Sequence, residues 1–351
     1  MNKKGIIPHI RLSIGQAEIK AVTKVLKSGY LAMGPEAKKL ETAMVALIGQ
    51  KYGAVCSSGT TALHLSLLAL GVGEGDEVIL PNYSCQALLN AILYVKATPI
   101  LVDIDLDTYN ASVDSIKQAI SKKTKAMIIP NMFGLMADLE SIKKLGIPII
   151  EDCAMGMGAT LRLRPAGSFG DISIFSFYAT KTITGGEGGM VMTSSKDIMD
   201  KVLDFREYDK KDDFLVRYNY KMSDINASIA LAQLKQLKSF IKKRQNIAKR
   251  YNKALAQTSL VLPGALPEHD HAYARYIIRT SDGDKLREYL KQNGVGAGKG
   301  VVFGLHTLLK TKEVFPNSEE ALKTAVSIPI YPTLTINEQQ KIIDLLLNFK
   351  S

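Results

Sequence analysis

Between Ala62 and Asp152 the chain alternates repeatedly between helical segments and short, almost wholly apolar runs. Ala62–Leu70, Leu88–Val95, Val113–Ile120 and Leu139–Leu145 read as helices; Glu77–Leu80, Pro99–Val102, Ala126–Ile129 and Ile147–Ile150 read as strands. Strands apolar at nearly every position must be covered on both faces, and strict helix–strand alternation builds a parallel sheet between two helical layers. The fold class expected is therefore α/β, three-layered, with a mostly parallel central sheet. In such sheets ligands gather beyond the carboxyl ends of the strands. The polar residues that follow Pro81, Val102, Pro130 and Ile150 are thus the first places to look for chemistry.

Two further strands, Ile172–Phe177 and Met190–Thr193, precede a change of pattern. From Ser223 to Ala256 the sequence reads as one long helical stretch, with Ile225, Ile229, Leu234, Leu237 and Ile241 on its apolar face and no Gly or Pro inside. Pro263 and Pro267 mark a loop, and Tyr273–Arg279, Lys285–Gln292 and Ile336–Leu347 supply a smaller C-terminal α/β domain. The division expected is 1–245, an N-terminal arm with the large domain, and 246–351, the small one. A chain of 351 residues suits two domains.

Several functions are disfavoured. The longest apolar run, Ala62 to Val72, is interrupted by His64 and Ser66 and is too short to span a bilayer. Met1-Asn2-Lys3-Lys4 is basic but no signal-peptide apolar run follows it. Cys56, Cys85 and Cys153 are too scattered for a disulfide framework or a zinc site, so no metal is expected and a reducing cytoplasm is the default. The net charge of +11 is spread over the chain, and its short clusters, Lys242-Lys243-Arg244 and Lys122-Lys123-Thr124-Lys125, read as solvated surface. Nothing has nucleic-acid-binding spacing, so the excess suits a phosphorylated small molecule.

Three features carry chemistry. Ser57-Ser58-Gly59-Thr60-Thr61 opens an apolar helix, where free backbone N–H groups and the helix dipole favour a phosphate; a plain Ser/Thr N-cap is the simpler reading. It lacks the Gly-x-x-x-x-Gly-Lys-[Ser/Thr] pattern, as does Gly298-Lys299-Gly300. Asp152 closes an apolar strand, where a carboxylate could hold a ring nitrogen protonated or serve as a cap. Lys181 stands between the strand ending Phe175-Ser176-Phe177 and the turn Gly185-Gly186-Glu187-Gly188-Gly189, a setting in which a desolvated lysine becomes nucleophilic. A phosphate cup, a strand-end carboxylate and such a lysine are together what pyridoxal phosphate requires.

Ordered along the chain, Gly34-Pro35 with Glu41, Ser58-Gly59-Thr60-x-Ala62-Leu63-His64, Gly75-Asp76-Glu77-Val78, Glu151-Asp152-Cys153-Ala154, Gly167-Ser168-Phe169-Gly170-Asp171, Phe175-Ser176-Phe177 with Lys181, Gly186-Glu187-Gly188-Gly189 and Tyr218-Asn219-Tyr220-Lys221-Met222-Ser223 follow one known pattern. On them the chain resembles the DegT/DnrJ/StrS sugar aminotransferases, of the aspartate-aminotransferase (fold type I) superfamily, nearly end to end. The resemblance implies a pyridoxal 5'-phosphate enzyme, a cytoplasmic homodimer with shared active sites. It would move an amino group from an amino acid, L-glutamate, to a nucleotide-linked keto-deoxysugar. It implies that Lys181 holds the cofactor covalently and moves the proton, and that Asp152 pairs with the ring nitrogen. Gly59, Thr60, Thr61 and Ser176 would bind the phosphate, Ala154 would pack on the ring, and Asn219 would reach the neighbouring subunit's phosphate. Lys221, His306 and Tyr331 are expected near substrate.

Three positions depart from that pattern. Cys85 stands where an aromatic residue commonly stacks on the ring, and Met155 where Gln or His bonds the ring hydroxyl. Lys299-Gly300-Val301-Val302-Phe303 replaces a His-Tyr-Pro segment at the substrate entrance. The altered entrance would also admit a non-nucleotide ketone such as a keto-cyclitol. A non-catalytic regulatory homologue is a further alternative, disfavoured by the retention of Lys181 with Asp152, Ser176 and Asn219.

Overall fold

The computed structural model describes residues 5–350 except Ala265, so the basic segment Met1–Lys4 lies outside the described residues. Seven strands form the central sheet: β1 Tyr52–Cys56, β2 Glu77–Pro81, β3 Thr98–Val102, β4 Thr124–Pro130, β5 Ile149–Asp152, β6 Ile172–Ser176 and β7 Gly189–Thr193, in the order β1-β7-β6-β5-β4-β2-β3. Strands β6, β5, β4, β2 and β3 are parallel, and β7 runs antiparallel to both of its neighbours, β6 and β1. The expected α/β class with a mostly parallel sheet is what the chain forms. The antiparallel strand goes with its connection: the 177–188 segment between β6 and β7 contains no helix, whereas a parallel crossover usually carries one.

Helices cover both faces. In chain order they are α1 Gln16–Ser28, α2 Pro35–Ile48, α3 Gly59–Ala69, α4 Gln86–Tyr94, α5 Val113–Ala119, α6 Leu139–Lys143, α7 Lys196–Arg206, α8 Asp224–Leu234 and α9 Leu237–Leu255. One core joins α2, α5, α6 and α8 to the sheet through Leu40, Met44, Ile116, Ile142 and Ala227. The other joins α3, α4 and α7 through Leu63, Leu67, Ile92 and Val202. Helix α3 is apolar all round because it is enclosed all round: Ala62 through Leu67 are buried.

The single helix expected over Ser223–Ala256 is two. Neither Gly nor Pro stands at the break, which falls at Lys235-Gln236, where a distant residue is hydrogen-bonded to the chain. Buried Glu18 accepts hydrogen bonds from Gln233 Nε2 in the last turn of α8 and from Gln236 Nε2 in the gap itself, both 2.8 Å. The helix α8 also supplies a remote cap. Asp224 accepts from the backbone N–H of Gly34, Glu36 and Ala37 at 2.8–3.0 Å, satisfying donors that the start of α2 leaves open. Asp224→Ala is expected to cost about 1–3 kcal/mol of stability, read from the shift of the urea midpoint at unchanged slope.

The C-terminal part is a three-stranded antiparallel sheet of β8 Tyr276–Arg279, β9 Gly298–Lys299 and β10 Ala325–Ile328, with β10 central. Helices α10 Gly283–Gln292, α11 Leu305–Leu309, α12 Pro316–Thr324 and α13 Ile336–Asn348 complete it. Its core takes Ile247, Ala248, Tyr251 and Leu255 from the second half of α9, whereas Leu237, Phe240 and Ile241 from the first half pack into the central core. A division at 245/246 therefore falls inside one helix. The N-terminal arm reaches the C-terminal core, where Ile7 pairs with Val295 and Arg11 meets Glu338 at 2.6 Å, before Ser13 accepts from Gln233 of α8.

Candidate active site

The carboxyl ends of β4 and β5 and the segments that follow β2 and β6 line one cavity of about 420 Å³. Asp152 and Lys181 both line it, with Ala154, Met155, Cys85 and Arg275. Asp152 is the last residue of β5 rather than the one after it, and it is buried. Its Oδ1 accepts from the Ala154 N–H at 2.8 Å. Burial pushes its carboxyl above the ordinary value, opposed by the Ala154 bond and the nearby Lys181 charge. Lys181 lies in the β6–β7 turn, its N–H donating to the Tyr178 carbonyl at 3.0 Å. Burial lowers its ammonium pKa, and Asp152 opposes that shift. Each group thus tempers the desolvation of the other.

Pyridoxal phosphate fits this donor set on local geometry. At the start of α3, Ser58 caps the helix by accepting from Thr61 N–H at 3.1 Å, and the Thr61 hydroxyl turns back to Ser58. The bland N-cap reading is correct for Ser58, and it leaves the Gly59 and Thr60 N–H groups open at the helix's positive end. A Cβ on Gly59 would lie 3.0 Å from Ser176 Cβ and 3.3 Å from its hydroxyl, so glycine here lets strand β6 and the helix start share one cradle. A Cβ on Gly189 would sit 2.1 Å from the Ser58 carbonyl, which explains the glycine run that follows the turn.

The remaining candidates separate. Cys85 is exposed at the first residue before α4 and faces the cavity; Met155 lines it as well. Asn219 is exposed and Lys221 pairs with Asp209, both on the segment leading into α8 and away from the cavity lining. His306 is held by Asn82, its N–H donating to Oδ1 at 2.8 Å, and is not among the lining residues. Tyr331 is buried in the C-terminal core under Arg11, likewise off the cavity. The entrance segment does line it, through Gly300, Val301, Val302 and Phe303.

Two residues at this site were not singled out by their own chemistry. Glu151, wholly buried beside Asp152, accepts from the N–H groups of Gly167, Phe169 and Gly170 and from Asn131 Nδ2 at 2.7–3.1 Å. It braces the 167–170 loop and makes no ion pair among the described residues. Arg275 lines the cavity from the start of β8; the signal available was a lone charge inside an apolar strand run, Tyr273–Arg279.

Comparison with known proteins places the chain among relatives of similar length. The model of the DegT/DnrJ/EryC1/StrS aminotransferase family matches residues 12–347. An uncharacterized protein of Methanocaldococcus jannaschii is 34% identical, with 95% of each chain covered. The aminotransferase TlmJ of Streptoalloteichus hindustanus superimposes with a TM-score of 0.93 at 28% identity, covering 97% of this chain and 98% of that one. Spr1654 of Streptococcus pneumoniae, a proposed sugar aminotransferase solved in a PLP form, gives 0.90 at 27% identity with 97% of each chain covered.

Proposed function

We propose, from the premise that this chain belongs to the DegT/DnrJ/EryC1/StrS aminotransferase family, that it aminates the keto carbon of a nucleotide-linked deoxysugar with nitrogen from an amino acid, L-glutamate. Its activity is pyridoxal-phosphate-dependent transamination. The observation carrying the residue assignment is that buried Asp152 and desolvated Lys181 line one cavity and act on each other's ionisation.

When bound, pyridoxal phosphate supplies an electron sink for charge developing on the carbon that bears nitrogen. In this reading Asp152 holds a proton on the ring nitrogen, since a fixed negative charge favours the charged form. Lys181 Nζ would hold the cofactor through its aldehyde and, once freed, would carry a proton between the substrate carbon and the cofactor carbon. The open N–H groups of Gly59 and Thr60, the Ser176 hydroxyl and the end of α3 hold the phosphate; Thr61 acts through its cap on Ser58. Ala154, Met155 and Cys85 surround the ring. Cys85 offers less contact than an aromatic ring, and the Met155 sulfur is a weak acceptor. Asn219 and Lys221, turned outward, are assigned to the site of a second copy in a cytoplasmic homodimer. His306 and Tyr331 are assigned no substrate contact, because Asn82 and the C-terminal core engage them.

The burial-lowered Lys181 sets a pH signature. The neutral amine is the reacting form, so uptake of pyridoxal phosphate by the apoenzyme should rise with pH and level off below the ordinary lysine value of 10.5. Asp152 raises the Lys181 value, so Asp152→Asn should move the plateau to lower pH. Stopped-flow absorbance across pH measures both; an unmoved plateau would detach Asp152 from Lys181.

The acceptor is tested by offering a panel of nucleotide keto-sugars to the enzyme preloaded with amino groups, with products read by mass spectrometry. Mass gain on a nucleotide keto-sugar supports the reading, and reaction with free keto-cyclitols alone replaces it. The apolar entrance Val301-Val302-Phe303 favours that second reading.

A further inference from the structure

We infer that Arg275 forms a carboxylate-binding subsite in the active-site cavity, recognising a carboxylate on the amino-acid donor or on the keto acceptor. The inference rests on the aminotransferase reading and deepens it by naming what the cavity that Lys181 lines can recognise.

Arg275 is fixed from both ends. Its backbone N–H donates to the Phe133 carbonyl at 3.2 Å, tying the start of β8 to the loop after β4. Its Nη1 donates to the carbonyls of Lys299 and Gly300 at 3.2 and 3.0 Å. A guanidinium carries five N–H donors in a planar fork, so these bonds occupy only Nη1. Nε and Nη2 meet no acceptor among the described residues, and neither is sealed away from solvent. That edge of the guanidinium is the geometry that takes a carboxylate in two parallel bonds.

The surroundings select the sign of the ligand. Arg275 lines both the main cavity and a smaller one of about 30 Å³ adjoining it, and Ala154, Met155 and Lys181 are the other residues common to the two. Across both linings the charged groups are Lys181, Arg244 and Arg275 against one carboxylate, Asp152. Arg244 is committed, its Nη1 donating to the carbonyls of Tyr273, Ala274 and Ile330. His9 is bonded to Ser327 at 2.8 Å, and burial lowers its pKa to about 4, so it stays neutral. Arg275 makes no ion pair among the described residues. A half-buried guanidinium held at Nη1 with its other edge open, in linings whose one carboxylate is Asp152, is a site for an anion. The phosphate cradle at Gly59 and Ser176 belongs to other residues and does not line this cavity.

The test uses the full-length holoenzyme. In the donor arm, wild type and Arg275→Gln react with L-glutamate, L-glutamine and the α-amide of glutamate, and KM is taken from the bleaching of the cofactor's visible absorbance. In the acceptor arm, a nucleotide keto-sugar bearing a carboxylate is compared with its hydroxymethyl counterpart. Arg275→Gln should cut the preference for a carboxylate over its neutral counterpart by about 10- to 100-fold in one arm, as loss of a charge-assisted pair predicts. Arg275→Lys, which keeps charge without the fork, should recover part of that preference. A change in the donor arm assigns the donor's α- or side-chain carboxylate according to which amide loses its penalty; a change in the acceptor arm assigns the acceptor's. The inference is overturned if carboxylate and neutral ligands shift together or not at all in both arms, which would leave Arg275 a brace for the 299–303 loop. If Arg275→Gln does not fold, Arg275→Lys decides on the same ratios. Failure of the wild type to use any nucleotide keto-sugar would refute the acceptor reading while leaving the donor arm intact.

Discussion

Lys181→Ala should yield a folded protein without the cofactor's yellow absorbance and with transamination lowered by about 10²–10⁴-fold or more, the range for losing a positioned proton-transfer group. The expectation follows from position. The turn between β6 and β7 delivers this lysine to a cavity wall shared with Asp152, and burial shifts its amine toward the reactive neutral form. Other lysines are poor substitutes: of the residues lining the main cavity, only Lys181 and Arg275 are cationic. Circular dichroism guards against misfolding, and absorbance with a single-turnover amino-acid reaction reads the effect. Turnover within tenfold of the wild type, with colour retained, would refute the assignment.

Glu151→Ala should act on the fold with comparable force. Removing this carboxylate strands the N–H groups of Gly167, Phe169 and Gly170 and the Asn131 amide in a dry interior. An unsatisfied buried donor costs about 1–3 kcal/mol. Even with partial relaxation the total should reach at least about 4 kcal/mol, much of the margin of an ordinary domain. The expected observation is a large fall in the urea midpoint or insoluble protein, with Glu151→Gln intermediate because its amide presents one donor toward donors. A loss below about 1 kcal/mol would mean that water takes over those bonds. Glu151 and Asp152 are thus chain neighbours with separate work, one carrying a loop and the other facing the cavity.

What could be read before the structure divides along physical lines. The parallel half of the sheet was legible because its strands are apolar on both faces and end in Pro81, Pro130 and Asp152. Strand β1 and helices α1 and α2 were not placed, since Tyr52–Cys56 is too short and mixed to announce itself and the helices' apolar positions face a neighbour that sequence alone does not reveal. The break between α8 and α9 was invisible in a stretch without Gly or Pro, and the residue hydrogen-bonded there, Glu18, lies 215 positions from Gln233. At the site, Lys181, Asp152 and Ser58-Gly59-Thr60 carried a spacing that could be recognised. Arg275 sat inside a strand pattern, and its role depends on carbonyls at Lys299 and Gly300 that only the folded chain brings near. His306 and Tyr331, expected near substrate, are residues that the fold leaves off the cavity lining, a placement their sequence context did not announce.

Helix α9 has a mechanical consequence. Its 19 residues are seated in two cores at once, Phe240 and Ile241 in one and Tyr251 and Leu255 in the other. Swinging the C-terminal core away from the central sheet would mean bending a continuous hydrogen-bonded rod or pulling one of its apolar stripes into water. Val302 and Phe303 are the other kind of wall, exposed where they line the cavity and seated in neither of the two cores that hold α9.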